Sequence, residues 1–206
     1  MKKNVVVFLL CVFTIGVSFS QEKNVKFHGS ISVGSANFYS YSGVSTFDYH
    51  LDNFKSGLYA VELGAFLSKG FAVDLGMNVI GSNFQYENGI KENNGLVYIN
   101  FCPKEVFSVT DKLSLIGDVG VGILSSTSQL YLNNNKYTVN RNGSAVNFDF
   151  AISYKVYKDT FFSAKVGAMA GSLDAPDLPD ALKPYKSEHQ NNIFSTNMAI
   201  SFNIML

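Results

Sequence analysis

Six ionisable side chains sit where ionisation is costly. Glu62, Asp74, Asp118, Asp149, Lys155 and Lys165 all fall within stretches that otherwise alternate apolar with small residues. A carboxylate or ammonium taken out of water must pair, stay hydrated or lose its charge. Such a set could pair ions, carry protons or line an ion path. The other reactive types are scattered. No spacing ties His28, His50 or His189 to a serine and an acid in a triad. Asp48-Tyr49-His50 is too short a pattern for a metal site, and Cys102 reads as a small residue within a strand. The residue types predict no catalytic centre, no metal and no cofactor, so the protein is not read as an enzyme.

The elements carrying these residues are strands. In "FAVDLGMNVI", Phe71, Val73, Leu75, Met77 and Val79 share one face, while Ala72, Asp74, Gly76, Asn78 and Ile80 share the other. The same period of two recurs over 25–33, 58–67, 97–102, 113–123, 146–156, 162–170 and 194–206. That makes eight predicted strands, most near the length a tilted strand needs to cross a bilayer. Short connections at 68–70, 108–112 and 158–160 alternate with long polar ones at 39–56, 81–94, 125–143 and 171–191. Pro103 predicts a bulge near the end of the fourth strand.

Bulk properties narrow the class. The charge is balanced, with 16 basic and 16 acidic residues, so nothing points to nucleic acid. Lys2 and Lys3 precede an apolar run from Val5 to Val17, and Ser18 and Ser20 place small residues before Gln21. This predicts a cleavable signal peptide at 1–20 and a mature domain at 21–206. Cleavage would leave Cys102 without a disulfide partner.

Which face is inside follows from size. The apolar faces of the strand cores carry no charge, whereas the opposite faces collect the six ionisable residues among Gly, Ser, Ala and Asn. The interior of an eight-stranded barrel is just wide enough for side chains to fill. Phe, Leu, Met, Ile and Val from every strand would overfill it. The expected fold is therefore all-β: an eight-stranded antiparallel up-and-down transmembrane β-barrel, apolar outside and polar within. Phe71, Tyr154, Phe162 and Phe202 predict one aromatic girdle, and Tyr59, Phe148 and Phe194 the other. The six charges form the expected lumen network, a hydrated plug or, alternatively, a gate. Tyr41, Tyr49, Tyr86, Tyr131, Tyr137 and Tyr185 in the expected loops suit surface recognition, and Lys136 and Arg141 suit lipopolysaccharide phosphates.

This arrangement resembles the small eight-stranded outer-membrane barrels of Gram-negative bacteria, the OmpA-type and OmpX-type transmembrane domains, over essentially the whole mature chain. The resemblance implies a bacterial outer-membrane location, periplasmic termini and a monomer in contact with outer-membrane lipid. It also implies delivery by the barrel-insertion machinery through a closing-strand signal. Asn197, Ala199, Phe202 and Ile204 resemble that signal, with Ala where Gly is usual and Leu206 where the family ends on an aromatic. The functional expectation is a structural, adhesive or surface-interaction role with an extracellular ligand at the loops. The alternatives are a narrow porin-like channel and a secreted lipocalin-like binder.

Overall fold

The computed structural model describes residues 25–41, 54–68, 70–85, 91–132, 135–175 and 192–206. Eight strands run β1 (Lys26–Tyr41), β2 (Phe54–Ser68), β3 (Phe71–Gln85), β4 (Lys91–Ser108), β5 (Leu113–Leu132), β6 (Asn135–Tyr157), β7 (Thr160–Leu173) and β8 (Asn192–Met205). Each pairs antiparallel with its sequence neighbours, and β1 pairs with β8 to close the barrel. The expected signal peptide, His50, His189, Tyr49, Tyr86 and Tyr185 lie outside the described residues.

The apolar face of every strand points outward. Leu63, Ile123 and Ile200 are each more than 60% exposed, while Asp74 on the opposite face is 1% exposed. A soluble barrel with an apolar interior, such as a lipocalin, has the reverse arrangement. Tyr154, Phe162 and Phe202 lie side by side across β6, β7 and β8. The last two rings meet edge to face, 5.4 Å between centroids. They make a continuous arc of aromatic girdle near the short turns. On the far side of the belt Tyr39 and Phe194 pack at 5.9 Å.

Three expectations change, the first at 81–94, where β3 and β4 stay paired from Gly81↔Gly95 to Gln85↔Lys91. The stretch 125–143 is not a loop: β5 and β6 continue through it in register from Ser125↔Asn142 to Leu132↔Asn135, leaving only positions 133–134 between them. Tyr131 and Tyr137 therefore stand on strands. Pro103 makes no bulge, because the β4–β5 register is the same on either side, Phe101↔Val121 and Lys104↔Asp118. The ladder to β5 lapses at Cys102 and Pro103 and resumes unshifted, as expected where an N–H is missing. Pairing does shift at Phe38/Ser40, Phe66/Ser68 and Lys155/Tyr157. The β6–β7 turn places Lys158 at φ 26°.

The interior is not uniformly polar, contrary to what the strand patterns suggest. Toward the rim opposite the short turns it is an apolar core of Phe38, Leu58, Ile80, Leu96, Tyr98, Leu124, Met169, Leu173 and Ile193. Leu58, Ile80 and Leu96 are cross-strand neighbours, so one row fills the bore from its wall inward. Charged residues occupy the level below.

Candidate functional site

Register gathers the charges. Lys104, Asp118, Asp149, Gly167 and Asn197 lie on one cross-strand row through β4–β8. His28, Gly64 and Asp74 form another row through β1–β3. The rows meet inside the barrel. Lys104 Nζ lies 2.5 Å from Glu62 Oε2 and 2.8 Å from Asp74 Oδ2. Lys165 Nζ lies 2.7 Å from Glu62 Oε1, 3.4 Å from Asp149 Oδ2 and 3.9 Å from Asp118 Oδ2. His28 Nε2 approaches Asp74 Oδ1 at 2.9 Å. Glu62 thus bridges both lysines, and Ser30 Oγ donates to it at 3.3 Å.

Amides extend the network. Asn147 Nδ2 donates to Asp149 at 2.7 Å, and Asn147 Oδ1 accepts from Tyr98 at 3.0 Å and Asn100 at 3.1 Å. Asn197 Nδ2 donates to Asp149 at 3.3 Å. Each strand supplies at least one member, among them His28, Glu62, Asp74, Lys104, Asp118, Asp149, Lys165 and Asn197 in strand order. Small residues make room for it. Asp74 lies over Gly64 and Asp149 over Gly167, each glycine being the cross-strand partner of the acid above it. A Cβ at either glycine would collide with that carboxylate.

Five of the six expected lumen charges, Glu62, Asp74, Asp118, Asp149 and Lys165, come together in this way. Lys155 does not. It faces inward but lies nearer the short turns, its Nζ 5.9 Å from the centroid of the Phe161 ring. Lys104, Tyr98 and Asn147 belong to the layer and were absent from the sequence-based set. Cys102 is buried on the lumen side. On β8, Asn197 and Ala199 turn inward, whereas Phe202 and Ile204 face out. Among the described residues no group of three or more His, Cys, Asp or Glu is placed to hold a metal ion.

The layer and the apolar core leave little open space. Between them lies a cavity of about 30 Å³ lined by residues including Asn78, Asn147, Asp149, Asn197 and Ser195, room for about one or two waters. The arrangement can hold charge and a little water, but its side chains close the bore.

A second candidate surface stands on the strands beyond the apolar belt. On the outer face of β4–β6, Ile99 and Ile123 give way to Gly95, Thr127 and Asn140, then to Asn93, Gln129 and Thr138, then to Lys91, Tyr131 and Lys136. Thr127 donates to Asn140 at 2.9 Å, and Lys136 Nζ lies 5.9 Å from the centroid of the Tyr131 ring. Arg141 points the other way. It is buried and donates through Nε to the Asp174 carbonyl at 2.8 Å, so it is not available to lipid phosphates as expected.

No protein-family model matches the chain, and no curated protein matches it. Solved structures do. Neisserial surface protein A superposes with a TM-score of 0.59 at 10% identity, over 88% of this chain and 99% of that one. Ail, the attachment invasion locus protein of Yersinia pestis, gives 0.52 at 13% identity, over 86% and 98%. A major outer membrane protein from Thermus thermophilus gives 0.51 at 10% identity, over 87% and 99%. The chain has the fold of the small eight-stranded outer-membrane barrels. Its exposed apolar belt and buried polar interior are the arrangement of a barrel that spans a bilayer.

Proposed function

We propose that the protein is a closed barrel that works at its outer surface, binding anionic or hydroxyl-rich glycans on the exposed face of β4–β6. The ladder of Thr127, Asn140, Asn93, Gln129 and Thr138, topped by Lys91, Tyr131 and Lys136, carries this reading. It begins where the apolar belt ends and runs beyond it. Eight residues of strand from Ser125 to Leu132 reach roughly 25 Å, enough to span the sugar region of an outer leaflet. Amides and hydroxyls suit sugar hydroxyls, a Tyr ring can stack on a sugar face, and lysines meet phosphate or sulfate. A structure of Ail at 12% identity to this chain is in complex with a heparin analogue, sucrose octasulfate, which supports testing sulfated sugars here.

The rest of the reading follows the architecture. The signal at 1–20 is removed, the short-turn rim and both termini are periplasmic, and the mature barrel is a monomer. Asn197, Ala199, Phe202 and Ile204 present the closing strand to the insertion machinery. The filled bore supports a closed barrel over a narrow channel. Binding of purified lipopolysaccharide and of heparin fragments to the folded protein, with Lys91→Glu and Lys136→Glu combined, tests the surface reading. The double variant is expected to weaken binding at least about tenfold, with a shallower salt dependence. Equal binding by the wild type and the double variant would sink it.

A further inference from the structure

The barrel is filled unevenly. Above the charge layer, Phe38, Tyr98 and Leu124 close the bore. Below it, toward the short turns, the inward positions include Ala72, Ser114 and Ser153, and the space between them stays open as a vestibule of about 940 Å³. That is at the upper end of small-molecule pocket volumes, about 300–1,000 Å³.

The vestibule lining has two characters. Phe66, Ile116 and Phe161 give it apolar wall, and Lys26, Lys104 and Lys155 give it cationic groups against one acid, Asp111, with the His28 ring beside them. Lys104 is committed to Glu62 and Asp74, and His28 faces Asp74. Lys155 differs. It is half-buried, its ammonium lies over the Phe161 ring, and no carboxylate among the described residues is ion-paired with it. A cation beside an aromatic wall, in a recess with few acids, is built for an anion attached to an apolar body.

We propose that this vestibule is a binding site for small organic anions, with the carboxylate, sulfonate or phosphate group on Lys155 and a flat apolar body against Phe161 and Phe66. The site is reached from the short-turn rim and is separate from the glycan surface, with the charge layer and apolar core between them. Lys155 is its specificity residue, since the wall alone would take neutral and anionic bodies alike.

Amide shift titrations of the isotope-labelled mature barrel in zwitterionic nanodiscs test this. The probes are 2-naphthalenesulfonate and its neutral analogue 2-naphthalenemethanol. The sulfonate is expected to give saturable shifts at Ser153, Phe161 and Asn203, about tenfold tighter than the neutral probe. Lys155→Glu should weaken it by at least a similar factor, while Lys158→Glu, exposed in the β6–β7 turn and outside the lining, leaves it unchanged. Lys155→Gln supplies the comparison if the charge reversal does not fold. Equal affinity for the two probes means an apolar recess without anion selectivity and overturns the proposal. So do unchanged affinity in the Lys155 variant, or non-saturating shifts confined to lipid-facing residues such as Leu63 and Ile123.

Discussion

Glu62 is the residue on which the interior turns. It is 8% exposed and holds both lysines of the charge layer, one on each carboxylate oxygen. Glu62→Gln keeps the shape but leaves two buried ammoniums short of their common counter-charge. Removing one partner of a buried pair typically costs about 3–5 kcal/mol. Lys155→Gln, outside the layer, should cost less than about 1 kcal/mol. Urea unfolding in lipid vesicles measures both, and equal losses would mean that the layer is not a connected unit. The carboxylates of this layer were legible in the sequence because they interrupt runs of small residues. Lys104 was not, since the alternation of its strand runs only over 97–102 and Pro103 predicted a bulge beyond it. Yet it shares parity with Asn100 and Cys102, and that parity placed it on the lumen face. Lys155 shows the converse: parity gives the face but not the height, and height depends on register between strands.

At the level of elements, the strand cores were readable and their extensions were not. Hydrophobic alternation marks a strand only while one face meets lipid. Past Ile123 both faces of β5 and β6 turn largely polar, so Ser125–Leu132 and Asn135–Gly143 carry little such alternation and looked like a loop. The place where the pattern stops is itself informative, because it marks the edge of the membrane. Val121 and Thr127 lie on the same outward face of one strand. Val121→Arg, within the lipid belt, is expected to cost about 2–4 kcal/mol, and Thr127→Arg about 0–1 kcal/mol. Reversible unfolding into vesicles distinguishes them. Comparable costs at the two positions would place β5 at a different depth.

For the whole molecule, the question is whether the bore passes ions. A polar lumen was the expectation, and a conducting path its alternative. Leu58 and Ile80 already broke the small-or-polar rule on the inward face, but a single strand does not reveal that both join Leu96 in one cross-strand row. With the apolar core above the charge layer and a cavity of only about 30 Å³ between them, planar-bilayer recordings of the folded protein should show no steady channel steps. Reproducible steps that change on neutralising Asp118 or Lys165 would revive the channel reading.

The charge layer draws on all eight strands, and this bears on how the wall can behave. Lys165 on β7 reaches Glu62 on β2 only once β1 has closed on β8, so until that moment the interior charges must remain wet. Once the seam is shut, parting it between any two strands would flood the whole layer rather than one pair. Lending an edge to a neighbouring chain, or slipping a substrate sideways into the bilayer, would carry that cost in full. The layer acts as a keystone course: the wall stands as a ring, and it comes apart as one.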